Sequence, residues 1–135
     1  MEKKHLNVVC AVVHDGDKIL CTQRLRKGPI YIAEHWEFPG GKLEAGESPE
    51  QALVREIREE LNSEMDWNVY VGAKLCSIEH EYPDFTIRLT AYDCMAHDND
   101  FKLLAHIDSC WLKPEEFSKL KWTEADAALI KQLWK

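Results

Sequence analysis

Nothing in this chain arranges its cysteines for pairing. Cys10, Cys21, Cys76, Cys94 and Cys110 are odd in number and widely spaced, and no Cys-x-x-Cys occurs. That argues against a disulfide framework and against zinc held by thiolates, so they read as reduced, largely buried thiols. Long hydrophobic runs are missing too. The longest, Val8 to Val13, is a fraction of the roughly 20 residues needed to span a bilayer. Met1-Glu2-Lys3-Lys4-His5 leads straight into a strand-like run without an export or anchoring signal, so a cytoplasmic protein is expected. Positive charge is short: 17 basic residues face 24 acidic ones, a formal net charge of -7. That balance argues against a broad footprint for nucleic acid or an anionic membrane. An anionic substrate therefore needs a bound cation or a few local basic groups. No repeat or low-complexity segment interrupts the 135 residues, which suffice for one domain, 1–135.

What is present reads as alternating strands with two helices. Leu6 to His14 and Lys18 to Arg24 flank Asp15-Gly16, a hairpin signal. Residues 25–35, with Gly28-Pro29, read as a loop. Ser48-Pro49-Glu50-Gln51 is a capping box with proline at the first helical position. A helix is expected from Pro49 to about Leu61, with Asn62 as its left-handed stop and Leu53, Val54, Ile57 and Leu61 on its packing stripe. Residues 67–80 and 85–96 form a hairpin through Tyr82-Pro83-Asp84, Ile107 to Leu112 is another strand, and Pro114 opens a short helical turn. Thr123 caps a closing helix that carries Leu129, Ile130 and Leu133. This order predicts an α/β (α+β) fold, a mixed sheet with helices on both faces.

The chemistry concentrates on the first helix. Glu56, Glu59 and Glu60 fall on one face at helical spacing, and like charges so placed destabilise an isolated helix unless something neutralises them. A divalent cation does so, and all-oxygen ligands suit Mg²⁺ or Mn²⁺. The competing reading is a solvated acidic surface with Arg55 pairing to Glu59. Upstream, Gly40-Gly41-Lys42 can present bare backbone and an ammonium to an oxyanion.

Taken together, Gly41, five residues, Glu47, seven residues, then Arg55-Glu56-Ile57-Arg58-Glu59-Glu60 resembles the signature of the Nudix hydrolase family. The approach Trp36-Glu37-Phe38-Pro39-Gly40-Gly41-Lys42 is similar to MutT-like members. The resemblance implies the Nudix α/β/α sandwich. It also implies a metal held by Glu56, Glu59 and Glu60 with the Gly40 carbonyl, Glu47 in support, Arg55 orienting a glutamate and Glu59 activating water. The implied reaction cuts a nucleoside triphosphate to monophosphate and pyrophosphate, which cleanses oxidised or modified nucleotides or acts on cytidine nucleotides. Alternatives are the hydrolysis of nucleoside diphosphate sugars or dinucleoside polyphosphates, and a metal- and nucleotide-binding module that does not cut. A monomer or homodimer is expected, with a small nucleotide as its only partner.

Substrate-side candidates are Arg24 and Lys42 for phosphate, Glu37 beside them, and Phe38, Tyr82 and Phe85 for stacking on the base. Each has a plain alternative as a surface cation or a core aromatic. Asp126 resembles a base-reading position, yet it also completes the cap Thr123-x-x-Asp126. The histidines show no ligand spacing and read as structural or solvated. Two departures from the family pattern stand out. Leu61-Asn62-Ser63 replaces a glycine and an aliphatic residue, and Ala105, ahead of His106, stands where relatives carry a glutamate, with Asp98, Asp100 or Asp108 as stand-ins.

Overall fold

Valine-rich β1 (Lys4–Asp15) turns into β2 (Lys18–Arg24), with His14 opposite Ile19 and Asp15 opposite Lys18. The loop is therefore Gly16-Asp17, one residue later than the Asp15-Gly16 signal suggests. Gly16 has φ +64° and Asp17 is not left-handed, the pattern of a type II′ turn whose first residue must be glycine. The computed structural model describes residues 3–61, 69–96 and 101–134, so Asn62, Ser63, Asp98 and Asp100 lie outside the described residues.

Five further strands complete the sheet: β3 (Trp36–Glu37), β4 (Gly40–Lys42), β5 (Val69–Glu81), β6 (Phe85–Ala96) and β7 (His106–Leu112). The order is β3-β2-β1-β6-β5, with β4 on β1 and β7 on β2, and β1 runs parallel to β6 while the other pairs are antiparallel. The sheet is mixed, as expected. β1 meets β2 only at His14 and Asp15, whereas Val8 to Cys10 face β4. The Trp36–Lys42 segment thus crosses from β2 to β1, and Pro39 bridges the change by accepting a hydrogen bond from the Ala11 amide at 2.8 Å.

The first helix, α1 (Pro49–Leu61), starts at the predicted box: the Gln51 amide donates to Ser48 Oγ at 3.1 Å and the Ser48 amide to Gln51 Oε1 at 2.9 Å. It buries Ala52, Leu53, Ile57 and Leu61, whereas Val54 is 43% exposed. The packing stripe is shifted relative to the sequence reading: it extends to Ala52 on one side and stops short of Val54 on the other. Burying each large aliphatic chain contributes about 1.5–3 kcal/mol. Strand alternation separates two cores. Val9, Ala11 and Val13 pack with α1 on one face, while Cys10 and Val12 share the other with Phe117 of the 3₁₀ turn Pro114–Lys119 and with Ala125 and Leu129 of α2 (Glu124–Leu133). Helices therefore cover both faces. No described helix is long and apolar enough to cross a membrane, and all five cysteines are free.

Candidate active site

Arg55 organises the acidic face of α1. Its Nε and Nη2 donate to the two oxygens of Glu47 at 2.7 and 2.9 Å, Nη1 to Glu56 at 2.8 Å and to Glu59 at 3.3 Å, and Nη2 also to the Lys42 carbonyl at 3.0 Å. The solvated-surface alternative required only the Glu59 pair. Instead one guanidinium fork ties the loop before the helix, the β4 backbone and two helical carboxylates together. The hydrogen bonds from Arg55 hold the Glu47 carboxyl down at about 2. Glu59 is the least constrained of the set, with 59% of its side chain exposed.

Gly40 and Gly41 fit this arrangement by lacking a side chain. A Cβ on Gly41 would lie 2.3 Å from the Glu56 carboxyl carbon, and one on Gly40 would lie 2.0 Å from the Val9 carbonyl oxygen. The Gly40 amide donates to Glu60 Oε1 at 3.1 Å. Burial, then the charges of Glu37 and Glu56, push Glu60 up to about 8, against the Gly40 hydrogen bond and Arg24. Glu56 is raised by burial despite its bond to Arg55.

Among the described residues no three side chains of His, Cys, Asp or Glu converge as a ready-made ion cage, because Arg55 draws Glu47, Glu56 and Glu59 toward itself. The donor set nonetheless fits a hard cation: its acidic groups are oxygen donors, and half-buried Glu60 lines one cleft with Glu37 and Glu56, whose charges oppose its ionisation unless a cation offsets them.

Glu37 was expected on the substrate side, beside Arg24 and Lys42. It sits on β3 opposite Thr22, while His106 opens β7 opposite Arg24, after an irregularity between Gln23 and Arg24. Side chains from three neighbouring strands thereby meet. Arg24 Nη1 donates to Glu37 Oε1 at 2.9 Å, and His106 Nε2 lies 3.0 Å from Glu37 Oε2. His106 therefore belongs to the site's own network, a role its sequence spacing did not signal.

Arg24 and Glu37, though not His106, line a cleft of about 540 Å³ that runs from Glu56, Glu60 and Glu37 to Tyr82, Phe85 and Asp126, within the usual size of small-molecule sites. Lys42 is exposed on its rim. Phe38 and Tyr82 are each 2% exposed. The Phe38 ring packs on Phe117, Trp122 and Trp134, and Tyr82 stacks on Tyr31 while its hydroxyl accepts from the Ala125 amide at 2.9 Å. Core packing occupies both rings, the alternative weighed for them, although both residues also line the cleft. Half-buried Phe85 is the remaining aromatic candidate along the cleft.

Asp126 serves as a cap and also reaches the cleft. Its amide donates to Thr123 Oγ1 at 3.2 Å as a helix cap, its carboxylate accepts from the Thr123 hydroxyl and from the Phe38 amide at 3.0 Å, and it also lines the cleft. Burial, followed by the charge of Glu37, raises it to about 7. Ala105 lines a second, smaller cleft with Arg24, Lys27, Glu37, Glu60 and His106. Exposed Asp108 accepts from the Ser109 amide and lines neither cleft, so it does not stand in for a carboxylate at 105.

Residues 3–134 match the model of the NUDIX domain. The CTP pyrophosphohydrolase of Escherichia coli (strain K12) is 35% identical over 127 residues, covering 94% of this chain and 90% of that protein. The 8-oxo-dGTP diphosphatase of Proteus vulgaris is 38% identical over 93 residues, 68% of this chain and 78% of that protein. Among solved structures, MutT from methicillin-resistant Staphylococcus aureus 252 superposes with a TM-score of 0.68 at 39% identity, covering 98% of this chain and 97% of that one.

Proposed function

The chain belongs to the NUDIX domain family, and from that membership we propose that it is a metal-dependent nucleoside triphosphate pyrophosphohydrolase, converting a triphosphate and water to monophosphate and pyrophosphate. The observation that carries the reading is the Arg55-centred carboxylate cluster at one end of a cleft whose other end is lined by Phe85 and Asp126. Relatives named for CTP and for 8-oxo-dGTP support a nucleotide substrate of this size, and clearance of oxidised or modified nucleotides is the role we assign.

Glu56, Glu59 and Glu60, with the Gly40 carbonyl and Glu47 in support, would hold Mg²⁺ or Mn²⁺. Such an ion supplies charge neutralisation at phosphate oxygens and lowers the pKa of water. Arg55 fixes Glu47 and Glu56, leaving the more exposed Glu59 free to accept the proton of the attacking water. Arg24 and Lys42 contact phosphate oxygens, and Phe85 and Asp126 bound the base. The free thiols suit the reducing cytoplasm, where we place the enzyme.

The test is a panel of ordinary, oxidised and methylated nucleoside triphosphates and nucleoside diphosphate sugars, incubated with Mg²⁺ or EDTA beside a Glu59→Gln control. Monophosphate and pyrophosphate that form only with metal and vanish in the variant are expected, with the fastest substrate defining the class. Nucleotide binding without metal-dependent cleavage of any phosphoanhydride would overturn the reading in favour of a binding module.

A further inference from the structure

Arg24 lines the cleft with Glu37 and Glu60, and its Nη1 donates to Glu37 Oε1 at 2.9 Å. Glu60 keeps only the Gly40 amide as a hydrogen-bond partner among the described residues, and Glu37 is the strongest charge acting on it. Two carboxylates, one on β3 and one on α1, thus line both the main cleft and the smaller one, and Arg24 lines both with them.

Glu37 is also held unusually firmly. Its side chain is 15% exposed, and each oxygen accepts one hydrogen bond, from Arg24 on one side and from His106, itself 2% exposed, on the other. A carboxylate has about four lone-pair sites, so each oxygen retains one for a cation. His106 lines the small cleft that Glu37, Glu60 and Ala105 share, and its Nδ1 is buried without a hydrogen-bond partner. An unpaired buried polar atom calls for a ligand or water to complete its contacts.

We propose that Glu37 is a metal-facing carboxylate of this site, positioned by His106 and Arg24, which would supply the ion an oxygen donor from β3. This rests on the metal-dependent reading above. Ala105 lines the smaller cleft with Glu37 and Glu60 and offers the place from which a carboxylate could replace it. His106 acts through Glu37 and is a positioning residue.

The experiment measures Mn²⁺ binding to the full chain by loss of the free-ion paramagnetic resonance signal, without substrate. Glu37→Gln should weaken binding by about tenfold or more. Ala105→Glu should recover affinity in that background by a larger factor than it adds to the wild type, the signature of a shared position. His106→Leu should weaken binding, and His106→Gln, which keeps a donor, should weaken it less. If Glu37→Gln does not fold by circular dichroism, Glu37→Asp is read in the same way. Unchanged affinity, or a loss that Ala105→Glu does not recover preferentially, overturns the role of Glu37. A wild-type chain that binds no Mn²⁺ overturns the metal-dependent reading itself, so the two failures are distinguishable.

Discussion

Gly41→Ala separates the site from the scaffold that holds it. The backbone at Gly41 is not left-handed, so alanine is conformationally acceptable and the obstacle is space alone. The new Cβ would stand 2.3 Å from the Glu56 carboxyl carbon, and ordinary contact begins at 3.4 Å, so that carboxyl must retreat by about 1.1 Å. It is the far end of a flexible side chain, so the retreat spares the fold but disrupts the 2.8 Å bond to Arg55. A displacement near 1 Å in a catalytic constellation costs about 100-fold in rate, equivalent to about 2.7 kcal/mol of transition-state stabilisation. Gly40→Ala is the contrast, because its Cβ would meet backbone, the Val9 carbonyl oxygen at 2.0 Å and Cys10 Cα at 2.7 Å, which cannot yield without parting β4 from β1. Steady-state turnover of a nucleoside triphosphate, paired with thermal melting by circular dichroism, should show Gly41→Ala near the wild-type midpoint but about 100-fold slower. Gly40→Ala should melt many degrees lower or fail to fold. Wild-type turnover by Gly41→Ala, or a loss of stability matching that of Gly40→Ala, would refute the reasoning.

Asp126 holds its proton more tightly in the fold, at about 7 against 3.8, so its stabilising contribution is present below about 3.8 and is lost as pH rises through 7. Asp126→Asn should flatten the fall in melting temperature between those limits and raise the midpoint at pH 8, and an unchanged slope would contradict the assignment. Arg55→Lys keeps one charge but cannot hold Glu47 and Glu56 together, so turnover should fall about 10- to 100-fold while the melting temperature barely moves. Mg²⁺ at about 100 times its dissociation constant should stabilise the chain by about 2.7 kcal/mol. Glu60→Gln should lose that increment yet melt higher than wild type without metal, because it removes a carboxyl whose ionisation burial and the charges of Glu37 and Glu56 oppose. Calorimetry with and without the ion checks both.

The parts of this fold readable from sequence are those written locally. Ser48 and Gln51 are three residues apart, and their reciprocal bonds start α1 where the box places it. Thr123 likewise announces α2. The acidic face was legible for the same reason, since helical spacing alone brings Glu56, Glu59 and Glu60 to one side. Val54 was misplaced because hydrophobicity alone does not say which edge of a stripe faces the sheet: the buried arc runs from Ala52 to Leu61, and Val54 falls just beyond it. The joining of Glu37 to His106 depends on β3 and β7 flanking β2, a sheet order that no spacing records across 69 positions. Phe38 and Tyr82 carried two meanings as aromatic residues, and only the aromatic partners around them decide for packing.

The parallel pairing of β1 with β6 has a cost in time. Lys4 pairs with Phe85 and His14 with Met95, each 81 residues further along the chain. At about 5–20 residues per second of synthesis, the central strand waits roughly 4–16 s for the partner that fills one of its edges. Over that interval the run from Val8 to Val13, buried almost throughout in the finished protein, has neither its parallel neighbour nor the α2 layer to cover it. Closing so long a loop before any contact rewards it slows folding, so the stretch that ends as the centre of the sheet is also the one most exposed to mispairing with other chains while it waits.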